Sequence, residues 1–181
     1  MKSLPFIILL IAQISLFSCK KDKTVSVRGD EVLTSNITES GQTYYVSGFS
    51  FATASQVKYT LGGTENADII LNEIIDQYGV PYEVYMSSPS NYEAFKLYGT
   101  YQTAQEAESA FTAYQKVVAT SFGDKTGNLE PNTIYTYKSK DNKYAKILVK
   151  NVQLIQTSGV RPFFSIAIKW AFQPDGTTSF Y

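Results

Sequence analysis

Phe163-Phe164-Ser165-Ile166-Ala167-Ile168-Lys169-Trp170-Ala171-Phe172 alternates with a period of two. Phe164, Ile166, Ile168, Trp170 and Phe172 share one side, and Phe163, Ser165, Ala167, Lys169 and Ala171 share the other. Successive side chains of an extended chain point to opposite faces, so this is a strand with one large apolar face in a core. The stretch from Tyr144 to Ile155 reads the same way. Ala145, Ile147 and Val149 share a face, with Lys146 and Lys150 opposite, and the apolar set then changes parity to Val152 and Leu154. A bulge near Asn151 accounts for the switch. Residues 133–138 form a third strand. Residues 139–143 and 157–162 carry the turn chemistry between strands. Gln173-Pro174-Asp175-Gly176 suits a type I turn with its glycine in the left-handed region. The final residues are then expected to return as a short strand ending near Phe180, completing an antiparallel meander of four strands.

Outward from this meander the pattern is less regular. Tyr45, Ser47, Phe49 and Phe51 alternate with Tyr44, Val46, Gly48 and Ser50, and residues 56–60 are placed to pair with them. Residues 61–64 read as a turn. Residues 68–75 are dense in Ile, which favours a buried strand over a helix. Residues 82–86 are extended after Pro81. One helix is expected over residues 104–119. Thr103 and Glu106 form a capping box. Ala107, Ala110, Phe111, Tyr114, Val117 and Val118 fall on one stripe, which should cover a face or end of the sheets. Residues 123–131 read as a loop. The expected fold is mainly β, with antiparallel sheets in a sandwich-like arrangement and one flanking α-helix.

The N-terminal segment has a different character. Lys2 is followed by residues 4–17, apolar apart from Gln13 and Ser15, and then by Leu16-Phe17-Ser18-Cys19. An apolar run of about 7–15 residues ending in small residues is a secretory signal, shorter than the span of about 20 that crosses a bilayer. The aliphatic residue three before Cys19 and the small residue just before it resemble the lipobox of bacterial lipoproteins. That resemblance implies lipidation of the Cys19 thiol, palmitate among the acyl chains, and removal of residues 1–18. Two or three chains hold a protein firmly, since burial is worth about 0.8 kcal/mol per CH₂. Residues 19–42 are then the lipidated Cys19 and a polar, mostly extended tether, which can end in a first edge strand. Residues 43–181 are a single β-rich domain. Arg28-Gly29-Asp30, an integrin-type tripeptide, falls in this tether and reads as a chance match. The expected address is the outer membrane, with the periplasmic or cell-surface face undecided.

Composition narrows the chemistry. The chain has 16 basic and 16 acidic residues, so a nucleic-acid partner, whose affinity comes from phosphate neutralisation, is not expected. It has no His and one Cys, Cys19. Ser-His-Asp and Cys-His catalysis and most zinc sites need those side chains. Glu65/Asp68 and Glu73/Asp76 are close in sequence but read as solvated faces. No catalytic residue and no metal ligand is assigned, and an enzyme is not expected. Aromatics are plentiful, with 14 Tyr, 11 Phe and one Trp. Most decorate sheet faces, and a few can serve as binding contacts.

Lys143-Tyr144-Ala145-Lys146-Ile147, taken with Trp170-Ala171-Phe172-Gln173-Pro174-Asp175-Gly176 and the lipobox, resembles the HmuY-like haem-binding lipoproteins of Bacteroidetes. The resemblance is confined mainly to the C-terminal strands. It implies an all-β fold with a helix or two alongside, and a ligand-binding role. Paired His or Met side chains clamp iron in the haem-binding members. This chain lacks His, and its one Met after cleavage is Met86, so Met86 or a Tyr is the only coordination the resemblance leaves. Which cofactor is bound, if any, stays open. The expected function is a non-enzymatic, membrane-anchored lipoprotein binding a small ligand. The alternative is an accessory subunit of an envelope protein assembly, docking along a strand edge.

Overall fold

The structure, a computed structural model, describes residues 27–60, 67–89 and 92–181. Cys19, the expected leader and the turn expected at 61–64 lie outside the described residues. Among the described residues ten strands and one helix follow one another: β1 (Val27–Thr34), β2 (Thr38–Ser40), β3 (Thr43–Ser50), β4 (Ser55–Thr60), β5 (Ile69–Ile75), β6 (Pro81–Ser87), β7 (Phe95–Thr100), α1 (Ala104–Ala113), β8 (Thr133–Lys138), β9 (Tyr144–Ile155) and β10 (Phe163–Gln173). They build two antiparallel sheets. The larger runs β1-β10-β9-β8-β7; the smaller runs β2-β3-β5-β6, with β4 on the opposite edge of β3. The mainly-β, sandwich-like class expected from the alternation is what the chain forms.

The two sheets enclose one core. Phe164, Ile166, Ile168, Trp170 and Phe172 of β10 and Ala145, Ile147 and Val149 of β9 meet Phe49, Ile69, Leu71, Val84 and Met86 from the smaller sheet. In β10 opposite β9, Ala167 faces Asn151 but Ile168 faces Val149, so Lys150 is the extra residue of a bulge. That is the parity switch read from Val149 to Val152. Gly176 has φ 75°, the left-handed value its turn calls for. Residues 123–131, the expected loop, run along the margin of the sandwich and stitch it. Gly123 bonds Phe95 through the main chain, Thr126 bonds Met86 and Leu129 bonds Val84, so the loop joins the edges of β7 and β6.

Three expectations are corrected. Residues 19–26 of the expected tether lie outside the described residues; the edge strand that reading allowed does form, but it starts as early as Val27, where β1 pairs with β10 along its whole length, from Val27↔Phe172 to Thr34↔Ser165. Its sequence is polar because only Leu33 in it is fully buried; main-chain pairing, not burial, makes it a strand. The C-terminal residues therefore do not add the fourth meander strand, since β1 holds that edge of β10. They fold back onto α1 instead. Helix α1 also ends at Ala113, because Tyr114 leaves helical geometry at ψ 89°. The next residues exchange helical bonds for bonds to the tail: Val117 N–H donates to Thr178 O (2.7 Å) and Phe180 N–H to Gln115 O (2.9 Å). Val118, assigned to the buried stripe, is 76% exposed.

Candidate functional site

The outer face of the large sheet carries a second, smaller core. Ala107 and Phe111 of α1, with Tyr114 and Val117, pack on Ile134, Leu148, Ala171 and Phe180. The capping box forms as expected: Glu106 N–H donates to Thr103 Oγ1 (3.2 Å) and Thr103 N–H to Glu106 Oε2 (3.1 Å). At the other end of α1 the cap comes from outside the helix. Lys146, on the outer face of β9, donates to Phe111 O (2.7 Å) and Tyr114 O (2.8 Å). These carbonyls belong to the last turn, where unpaired C=O groups and the helix dipole both favour a cation. The ammonium also lies over three rings, 4.6 Å from Phe111, 5.2 Å from Phe180 and 5.9 Å from Tyr114. Lys146 is 5% exposed. Burial pulls its pKa down to about 8, helped by the like charges of Arg28 and Lys169.

Beside this lysine opens a cleft of about 420 Å³, between the end of α1, β1, β10 and the C-terminal residues. Arg28 and Asp30 line it from β1, Lys169 from β10, Thr112 and Gln115 from the helix end, and Phe180 from the tail. Lys169 is paired with Glu108 (2.5 Å) and Asp30 with Lys150 (3.0 Å). Arg28 donates to the main-chain oxygen of Tyr181 (2.5 Å). The Arg28-Gly29-Asp30 tripeptide is thus part of a paired strand, with Gly29 packed where a Cβ would sit 3.2 Å from the Trp170 ring. No family model, curated protein or solved structure matches this chain.

Met86 lies far from such access. Its side chain is fully buried in the sandwich core, and its main chain is bonded to Thr126 on both sides. A ligand could reach the sulfur only by parting the sheets. Of the acidic pairs, Glu65 lies outside the described residues, and the other three side chains find structural tasks. Asp76 Oδ1 accepts from Tyr78 N–H and Val80 N–H and shapes the β5–β6 turn. Glu73 accepts from Ser35 Oγ (2.6 Å) and pairs with Arg161. Asp68 accepts from Phe51 N–H (2.8 Å) and from Tyr137 Oη (3.0 Å), so the solvated-face reading fails for it and for Glu73, whose side chain is 8% exposed. Since Tyr137 spends its one proton on Asp68, Tyr92 must donate the 2.6 Å bond between the two phenols. Burial raises the Asp68 carboxyl and, with the Asp68 charge beside it, pushes the Tyr137 phenol well above the usual range. This chain of bonds fastens the two sheets together and leaves its own oxygens satisfied. Among the described residues no group of three His, Cys, Asp or Glu side chains is placed to hold a metal.

Sequence reasoning set Lys146 on the face of β9 opposite Ala145, Ile147 and Val149 and gave it no role. The available signal was its company. Leu148 and Ala171 are apolar on that same face, and an amphipathic helix had to lie somewhere. A lysine between them sits under the helix, not in water.

Proposed function

We propose that the protein is a non-enzymatic lipoprotein of the bacterial outer membrane, anchored through Cys19, whose β domain binds a small ligand in the cleft between α1 and β1. The cleft is the observation that carries this reading. It combines an aromatic wall with a few convergent polar groups, the usual make-up of a small-molecule site, and its volume falls within the roughly 300–1,000 Å³ such sites occupy. The His-free composition and the satisfied state of the buried Asp68 network support binding over catalysis. Neither the burial of Met86 nor the cleft lining favours haem as the ligand.

Thermal-shift screening of the full chain against a metabolite panel tests this. A true ligand raises the melting temperature of the natural protein and not of Thr112→Trp, which fills the cleft mouth from an exposed position. If hits act equally on both, the cleft is not the site. Metabolic labelling with palmitate tests the anchor, and label retained by Cys19→Ser would overturn it.

A second reading, an accessory subunit of an envelope assembly, is favoured by the β5–β6 hairpin. Ile75, Tyr78 and Tyr82 stand out there at 47%, 81% and 57% exposure. Loss of a stoichiometric partner from native-membrane pulldowns on Tyr78→Ser/Tyr82→Ser would support it; unchanged recovery would count against it.

A further inference from the structure

We infer that the ligand of this cleft is a small organic oxyanion, a carboxylate or phosphate ester on an apolar body, gripped by Arg28 and Lys169 above Lys146. This rests on the binding role proposed above and names its ligand class.

Charge is the first support. The lining holds three cations, Arg28, Lys146 and Lys169, against one side-chain carboxylate, Asp30. That carboxylate is engaged by Lys150, outside the cleft lining, and Glu108 answers only Lys169. Lys146 takes part in none of the described ion pairs; its partners are carbonyl oxygens and ring faces. The three cations therefore repel one another across a partly desolvated space. Burial is the main cause of the depressed Lys146 ammonium, and this repulsion adds to it. An entering anion relieves it, and in a low-dielectric cleft the gain is larger than at an open surface.

The second support is geometric. Arg28 already directs its guanidinium at an oxygen, that of Tyr181 at 2.5 Å. A carboxylate or phosphate offers two or three oxygens to that planar fork, which can hold them in a bidentate pair. Ligand entry then competes with Tyr181 for the guanidinium. Phe111 and Phe180 line the same space, so an apolar body finds a wall beside the charged end. Its volume fits a single ring with one oxyanion group and is too small for a polymer of phosphates.

Calorimetry on the full chain in a neutral detergent at low salt decides the matter, with phenyl phosphate, benzoate, benzyl alcohol and inorganic phosphate as probes. Phenyl phosphate or benzoate is expected to bind, to weaken at least tenfold in Arg28→Gln/Lys169→Gln, and to weaken with added salt. Lys58→Gln, on the smaller sheet, leaves binding unchanged. Arg28 is exposed and Lys169 half-buried, and unchanged circular dichroism and melting show that the variant is folded. Inorganic phosphate binding as tightly as phenyl phosphate would overturn the organic class. Benzyl alcohol binding that Thr112→Trp abolishes, with neither anion binding, would overturn the oxyanion inference and leave the ligand-binding reading standing. Anion binding that ignores both cleft variants would sink the inference, and the binding reading with it.

Discussion

The two faces of the large sheet are built on different terms. The inner face, from β8, β9 and β10, meets the smaller sheet through a continuous aliphatic and aromatic layer. Phe49 and Phe51 pack edge-on to each other (5.3 Å, 83°), and both lean on Trp170. The outer face is covered by a helix of ten residues, a tail without regular structure and a buried lysine. One face is closed by apolar complementarity. The other is closed by a smaller apolar cluster, fastened by polar bonds that a charged side chain makes to a helix end. The first fixes the fold, and the second leaves an opening with chemistry in it.

The largest difference should appear on truncating the inner layer. Phe49→Ala removes a fully buried ring whose neighbours cannot readily close the space. We expect a loss of about 3–5 kcal/mol in urea denaturation. A loss below about 1 kcal/mol would mean that the inner face is no more tightly packed than the outer.

The inner face was legible in the sequence because a strand with one apolar side repeats every two residues. Phe164 to Phe172 and Ala145 to Val149 announced their faces, and even the bulge showed as a change of parity. The outer face was hidden for three physical reasons. Lys146 is charged, and its burial depends on carbonyls 32 and 35 residues away in sequence. Strand β1 is held by main-chain bonds, so Arg28, Asp30 and Glu31 carry no apolar signal. The tail after Gly176 turns back to satisfy the end of α1, a bond pattern with no periodicity to read. The cleft draws on all three, so its pieces were named in the sequence without being placed together. β7 was missed as well; its exposed Lys96, Leu97 and Tyr98 give no alternation.

Lys146→Met sharpens the contrast. It keeps the stem and the ring contacts, and removes the donors to Phe111 O and Tyr114 O. We expect a loss of about 1–3 kcal/mol, the cost of two helix-end carbonyls left without a partner, partly offset because a buried charge is also gone. A more stable variant would mean that the carbonyls find other donors.

The same lysine gives the outer face a pH signature. An unfolded chain keeps the lysine proton up to its ordinary 10.5, whereas the folded chain releases it near 8. Between these values the unfolded state binds more protons, so stability rises with pH, by roughly 1–2 kcal/mol by about pH 9.5. Above about pH 10 the sign reverses. Burial raises the phenols of Tyr92, Tyr114, Tyr135 and Tyr137, so the unfolded chain loses those protons first. Denaturation series should therefore show a maximum between about pH 9 and 10, and Lys146→Met should flatten the rise towards it. A rise that survives in the variant belongs to another group.

The smallest effect concerns the far end of the same helix. Thr103→Ala deletes the hydroxyl that accepts from Glu106 N–H at an exposed cap and should cost about 1 kcal/mol. Its value lies in combination with Lys146→Met. The two caps lie at opposite ends of α1, about 15 Å apart at 1.5 Å per residue, and substitutions so separated normally add to within about 0.5 kcal/mol. We expect additivity, because Ala107 and Phe111, both buried, keep the helix docked when either end is loosened. An isolated helix this short is marginal in water, so one that depended on its caps for docking would detach as a unit. The double variant would then lose more than the sum, and protection of the α1 amides from exchange would fall before that of β9 and β10. Such a result would show that the outer layer opens independently of the sandwich, with Lys146 as its latch.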